Sequence, residues 1–383
     1  MKILGKTLRP DRVARHVRDR LALTTMPPRG RAVALVGDGA AWSIRDDQLH
    51  LGRQLRGLGY GVRHIRDITA ARGKLVHVLD RQALLKLDPA RVHPGNRLVL
   101  TWYHGAPEDA EFAEGYAALR RWLPRLTAVV TSCQTTRQDL IRGGVDPGRI
   151  AVVPLGVDPQ AFAPPDSAQR REARRRWGVA DDEIAVGSFQ KDGVGWGEGQ
   201  APKLIKGPDL LLQTLARWRE SRPEVRLKIL LTGPARGYVK QGLDRLGLPW
   251  VHRQYEKPAE VADAYRALDL YVIAARCEGG PKALLEAWAS GVAVAAQRVG
   301  MVSDWLVDGR SGRSVAVGDT AALAEACRQL TEDPDLRRRC VEQGRQSSQG
   351  LTWRHAARAL AGGVYGPAAR GEPPTRDGAG ALP

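Results

Sequence analysis

Cysteine is scarce. The four cysteines, Cys133, Cys277, Cys327 and Cys340, lie far apart with no C-x-x-C pair. That spacing argues against a disulfide framework and a zinc site, and it suits a reducing cytoplasm. Long apolar runs are missing too: nothing approaches the ~18 uninterrupted apolar residues of a membrane-spanning helix. The start, Met1-Lys2-Ile3-Leu4-Gly5-Lys6, is basic, but no apolar h-region follows, so a secretory signal is not expected. No G-x4-G-K-S/T phosphate loop occurs. Lysine is rare, 11 residues against 48 arginines. Acids fall short of bases, 42 against 59, which leaves a formal charge of +17.

What is present points to a folded, two-domain chain. Apolar residues make up 43%, enough for real cores, and 383 residues correspond to about two domains at ~100–200 residues each. The charge admits nucleic acid, an anionic membrane surface or acidic substrates as partners. A plainer account is a GC-rich coding sequence that favours Arg over Lys. Residues 1–30 hold eight Lys/Arg against two acids, and Arg170-Arg171-Glu172-Ala173-Arg174-Arg175-Arg176 is a basic run. Neither interleaves aromatics with its charges or fits a DNA-reading motif, so nucleic acid is not expected as a partner. The scarce lysines are more telling. Lys191, Lys203 and Lys206 fall within sixteen residues around a glycine-rich segment, and Lys282 sits in Glu278-Gly279-Gly280-Pro281-Lys282.

Apolar runs at 32–36, 75–79, 98–102 and 128–131 read as buried strands separated by helical segments. A second series follows the Pro-rich, basic stretch 163–177, with strands at 184–188, 227–231, 270–274 and 292–296. Its helices fall near 208–220, 259–267, 281–290 and 320–330. Such alternation predicts parallel sheets covered on both faces, hence two Rossmann-like domains facing a cleft. Val13, Val17 and Leu21 mark a short basic amphipathic helix, and the Gly/Ala/Pro-rich tail from Gly362 reads as disordered.

The strand at 270–274 runs directly into Glu278-Gly279-Gly280-Pro281 and a helix carrying Glu286. A strand–Gly–Gly–helix junction suits an anion, because the helix N-terminus presents N–H donors and a positive dipole end. An acid further along that helix can accept hydrogen bonds from a ribose diol. The glycines at 193, 195, 197 and 199 would let the chain approach phosphate closely. Asp333-Pro334-Asp335 has a D-x-D form but reads as a helix cap. Trp42, Trp102 and Trp196 are candidate sugar-stacking rings by loop position.

Arg276-x-Glu278-Gly279 with Glu286 resembles the E-x7-E motif of the retaining GT-B glycosyltransferases, family 4 in particular. Pro154-Leu155-Gly156-Val157-Asp158, Lys206-Gly207-Pro208-Asp209-Leu210-Leu211, Val299-Gly300-Met301-Val302-Ser303-Asp304 with Asp308-Gly309, and Trp353 resemble further family segments in family order. The resemblance spans about residues 95–360. It implies an α/β GT-B fold: an acceptor-side Rossmann-like domain over 1–165 and a nucleotide-sugar-binding one over 166–352. A helix near 353–362 would pack back on the first, leaving 363–383 as the tail.

By the same resemblance Glu278 would hold donor-sugar hydroxyls, Glu286 the ribose, and Lys206 the diphosphate. Lys191 would stand in for an arginine the family usually places after the first strand of the second domain. Gly279, Gly280 and Lys282 complete the donor loop, and backbone N–H groups of Gly300 and Met301 would face sugar or phosphate. His104 would reach the sugar from the first domain, joining Glu278 and Lys206 as catalytic groups. The expected activity is retaining transfer of a sugar from a nucleoside-diphosphate donor to a hydroxyl of a cell-surface glycan or lipid-linked intermediate. No cofactor and no metal are expected. The setting would be cytoplasmic, with a peripheral contact to the anionic inner membrane face. A nucleotide-sugar epimerase, a sugar phosphorylase and a non-catalytic binding protein are the alternatives.

Overall fold

The computed structural model describes residues 2–3, 6–7, 10–26, 30–37, 43–85, 87–255 and 260–375. The chain divides into two units. One comprises Met1–Pro154 with the chain from Trp353 onward, and the other Leu155–Thr352.

In the first unit six strands form one parallel sheet: β1 (Ala32–Val36), β2 (Gly61–Ile65), β3 (Leu75–Val78), β4 (Arg97–Thr101), β5 (Leu126–Thr131) and β6 (Ile150–Val152). Their order is β2-β1-β3-β4-β5-β6. All five residues of β1 and all four of β3 are buried, as a parallel sheet covered on both faces requires. The Pro10–Thr24 helix docks through one face. Asp19 Oδ2 accepts the Arg66 and Asp67 N–H groups at 2.8 and 2.9 Å, and Leu23 is buried.

The second unit repeats the plan with β7 (Ile184–Phe189), β8 (Leu227–Thr232), β9 (Trp250–Arg253), β10 (Leu270–Ile273), β11 (Ala293–Gln297) and β12 (Arg313–Val315). The order β9-β8-β7-β10-β11-β12 is that of a dinucleotide-binding Rossmann sheet, all parallel. The strand order reverses between β7 and β10. Ligands of such sheets bind outside the carboxyl ends of the strands at that point.

β2, β6, β9 and β12 have no counterpart among the expected strands, and each is a sheet edge. An edge strand is half covered or very short, so it shows no sustained apolar run. The basic run lies on the helix Ser167–Trp177, opened by an Asp166/Gln169 capping box and closed by Gly178 at φ 63°. Arg170 and Arg174, joined by Arg337, converge on Asp269 at 2.7, 2.8 and 3.2 Å. Although burial acts against it, hydrogen bonding from Ala185 and these three cations hold the Asp269 carboxyl below its usual range. These arginines are internal staples. Asp333 caps the Pro334–Gly350 helix by accepting the Asp335 and Leu336 N–H groups.

The expected disordered tail needs correction. Leu360–Tyr365 and Gly366–Arg370 are helical, and Val364, Tyr365 and Ala368 are buried. The Tyr365 hydroxyl meets His77 Nδ1 at 2.6 Å, and His77 Nε2 meets Thr101 Oγ1 at 2.8 Å. Upstream, Trp353 stacks on His50 at 5.7 Å. Small residues that suggest disorder by composition here allow a close fit against the sheet. Residues 376–383 of that expectation lie outside the described residues.

Candidate active site

The loops after β7 and β10 meet at the reversal of strand order, and each carries charge. Beyond β10, the Arg276 and Cys277 N–H groups donate to the Ile205 carbonyl at 2.9 and 3.1 Å. Arg276 also forks onto Asp209, with Nη1···Oδ1 2.7 Å and Nη2···Oδ2 2.5 Å, and donates to the Leu204 carbonyl. Hydrogen bonding from Arg276 holds the Asp209 carboxyl below its usual range. This clamp ties the Glu278 loop to the short turn Leu204–Lys206. Gly207 then turns the chain into the Pro208–Ser221 helix at φ 63°, where a Cβ would stand 1.8 Å from the Ala274 carbonyl oxygen. Only glycine fits. The clamp and the turn together set Lys206 Nζ 2.5 Å from Glu278 Oε1, with 19% and 14% of the two side chains exposed.

Lys191 follows β7. Its ammonium donates to the Gly193 carbonyl at 3.1 Å and lies 4.9 Å over the exposed Trp196 ring. Burial, with the Lys206 charge as a further cause, pushes the Lys191 ammonium below the usual lysine value. The two ammonium groups are thus within electrostatic reach of each other. Gln190 supports the pair by donating to the Lys206 carbonyl at 3.0 Å.

Glu286 lies on the Lys282–Ala289 helix, which no side chain caps at its N-terminal end. Its Oε2 accepts the Tyr265 hydroxyl at 2.9 Å. Tyr265 is fully buried among Phe189, Tyr271 and Phe162, with ring centroids 4.9, 5.4 and 5.8 Å away. Burial and the Glu286 charge push its phenol well above 10, so it stays a donor. Next to Lys191 in the chain, Asp192 forms an ion pair with Arg236 at 3.0 Å with no exposed side-chain area. Burial raises the Asp192 carboxyl against the pull of Arg236. Arg236 also donates to the Ser188 and Thr232 carbonyls at 2.6 and 2.8 Å, holding the ends of β7 and β8.

Two family models match this chain: "Glycosyl transferases group 1" over residues 201–347 and "Glycosyltransferase Family 4" over residues 13–161. The chain carries glycosyltransferase domains of the group 1 and family 4 types. A D-inositol 3-phosphate glycosyltransferase of Stackebrandtia nassauensis is 31% identical over 260 residues, 63% of this chain and 54% of that protein. The protein of that name from Xylanimonas cellulosilytica is 32% identical over 260 residues, 64% of this chain and 58% of its own. The chain thus spans little more than half the length of the curated relatives it matches. Anabaena Alr3699/HepE, solved with UDP and glucose, superposes with a TM-score of 0.70 at 16% identity, covering 87% of this chain and 98% of that one. Sucrose-phosphate synthase of Thermosynechococcus elongatus gives 0.68 at 18%, covering 86% and 97%. These likenesses show the fold, which is α/β and of the GT-B class.

In the second unit the structure brings Lys206 and Glu278 into contact and sets Lys191 within electrostatic reach of Lys206. Gly279 and Gly280 precede the helix that Lys282 opens. Pro281 falls one residue earlier than expected, at the cap rather than in the first turn. Met301 departs from expectation: its N–H donates to the Gly279 carbonyl at 2.8 Å, so that donor is spent on the loop itself. Gly300, at φ 50°, packs so tightly that a Cβ would lie 2.1 Å from the same carbonyl.

The glycine-rich segment is also corrected in part. A Cβ on Gly193 or Gly199 would strike the Ala235 carbonyl at 2.4 or 2.3 Å, so these two serve backbone packing rather than phosphate approach. Gly195 and Gly197 border open space. Trp102 is 1% exposed under the Arg81 guanidinium and next to Tyr116, a core ring rather than a sugar platform. Trp42 lies outside the described residues. His104 belongs to the first unit, just past β4. Its carbonyl accepts from Arg81 at 2.7 Å and its ring stands edge-on to Phe112. Tyr265, Tyr271 and the Asp192–Arg236 pair leave no signal in the sequence. An aromatic on a helix reads as core, and a buried ion pair 44 residues apart leaves no local pattern.

Proposed function

We propose that the chain transfers a sugar from a nucleoside-diphosphate donor to a hydroxyl acceptor, with retention of anomeric configuration. The observation that carries this is the Lys206–Glu278 pair at the reversal of strand order, with Lys191 within electrostatic reach of Lys206. The departing diphosphate gains negative charge in the transition state, and fixed cations stabilise that charge more than the ground state. Lys206 and Lys191 take that part, Glu278 holds donor-sugar hydroxyls and Glu286 the ribose. Gly279, Gly280, Gly300 and Lys282 shape the donor loop. Because lysines supply the positive charge, no metal is assigned a step, and a chelator should leave the rate unchanged. No residue is assigned as a covalent nucleophile; the acceptor attacks from the face the phosphate leaves, and that phosphate takes its proton. The motif resemblance also gives His104 a part in transfer, and H104A tests it.

UDP-glucose is the first donor to try, since a fold relative was solved with it. D-inositol 3-phosphate, named for the sequence relatives, is the first soluble acceptor; glycan and lipid-linked acceptors follow. New glycoside should form, and proton NMR of its anomeric centre should show the donor's configuration. An inverted product refutes retention. Epimerised or phosphorolysed sugar without any acceptor would favour the alternative activities. A peripheral contact with anionic membrane belongs to the same proposal. On the Pro10–Thr24 helix Val13, Val17 and Leu21 are 42%, 49% and 64% exposed, on the face away from docked Asp19. Arg18 and Arg20 flank them, a pattern suited to an anionic interface. Deleting residues 1–29 should abolish co-sedimentation with anionic vesicles; undiminished binding refutes the contact.

A further inference from the structure

Glu286 projects from a helix surface on a side chain with three rotatable bonds, which by itself would leave its carboxylate unfixed. Tyr265 restrains it. Its ring is fully buried and packs against Phe189, Tyr271 and Phe162, which restricts where the hydroxyl can lie. From there it donates to Glu286 Oε2 at 2.9 Å. The support is itself anchored. The Tyr271 hydroxyl accepts the Phe189 N–H at 2.9 Å, which ties this aromatic group to the last residue of β7, two residues before Lys191. One buried cluster therefore fixes both the carboxylate expected to meet the ribose and the strand end that launches the phosphate-side lysine.

We infer that Tyr265 is a positioning residue for nucleotide binding, acting through the Glu286 carboxylate; this rests on the functional reading above. Tyr265 makes no contact with the nucleotide in this scheme. It orients the carboxylate plane before ligand arrives, so that no ordering is needed on binding. The phenol stays protonated across the working range, because burial and the Glu286 charge both oppose its ionisation. Its donor role is thus constant with pH.

The test compares wild type, Y265F, E286A and the double variant Y265F/E286A by calorimetric titration. The probe is whichever of UDP, GDP and ADP wild type binds most tightly, with inorganic pyrophosphate as a second probe lacking ribose. Phenylalanine keeps the ring contacts and removes only the hydroxyl. A hydrogen bond to a charged group corresponds to roughly a 10-fold change or more in affinity. Y265F should therefore weaken the nucleoside diphosphate about 10-fold, leave pyrophosphate within twofold, and add nothing in the E286A background. With turnover substrates, donor KM should rise while kcat holds. Equal nucleotide affinity in Y265F and wild type overturns the inference alone. So does equal loss for pyrophosphate, which would mark general damage to the fold. Wild type that binds none of the nucleoside diphosphates overturns both this inference and the donor reading.

Discussion

Replacing Lys206 by alanine separates the two duties that its position combines. The ammonium lies 2.5 Å from Glu278 Oε1, with four-fifths or more of each side chain covered. A charge-assisted hydrogen bond contributes about 1.5–3 kcal/mol, and the residual exposure of this pair lowers that to about 1–2 kcal/mol. At 2–4 °C per kcal/mol for a unit of roughly 200 residues, K206A should melt about 2–8 °C lower. The catalytic loss should be larger. A fixed group that stabilises developing charge is worth about 10²–10³ in kcat, or ~2.7–4 kcal/mol. Since a folded unit holds about 5–15 kcal/mol, the stability loss leaves K206A folded at 25 °C. Its rate therefore reports chemistry. Thermal unfolding and initial rates of sugar transfer, measured on K206A, E278Q and the double variant, give both numbers. Turnover of K206A within threefold of wild type would refute the assignment of Lys206 to the leaving group. A melting loss beyond about 15 °C would show that the pair holds the loops together instead.

Three further outcomes follow from particular contacts. Gly207→Ala must place a methyl group 1.8 Å from the Ala274 oxygen at φ 63°. The left-handed backbone costs about 1–2 kcal/mol before the clash is counted, so urea unfolding should show a loss above about 3 kcal/mol; an unchanged midpoint contradicts the turn described. Arg276→Lys keeps the charge but loses the fork onto Asp209 and the Leu204 carbonyl. kcat/KM should fall about 10-fold through misplacement of Lys206, and a rate equal to wild type would sink the clamp. Burial pushes His77 down to about 3 from an ordinary 6.5. The unfolded chain then binds the extra proton between those values, so stability is complete above 6.5 and falls as pH drops toward 3. At pH 4.5 the loss from this residue should be on the order of 2–3 kcal/mol. H77Q should show that much less acid sensitivity in urea titrations at pH 7 and 4.5, and an identical pH response would refute the assignment.

The buried central strands were legible because a strand covered on both faces must be apolar throughout, as Ala32–Val36 and Leu270–Ile273 are. All four edge strands escaped, since half-covered or three-residue strands impose no such run. In the site, Lys206, Glu278 and Glu286 stood out as scarce or spaced charges beside glycines. Gly207 and Gly300 had visible motifs, but the carbonyls that demand glycine there come from Ala274 and Gly279 and appear only when the loops meet.

The amino-acid order by itself determined the central buried strands, the helices between them and which charges follow those strand ends. Those properties depend on local periodicity and on residues a few positions apart. Tertiary structure decided which charges face a ligand and which are spent internally. The arginine run 170–176 helps close onto Asp269, Met301 donates to Gly279, and Tyr265 holds Glu286. Each partnership joins residues from about 20 to nearly 100 positions apart. Burial and pairing fix the state of a charge, and both depend on neighbours the fold assembles from distant sequence.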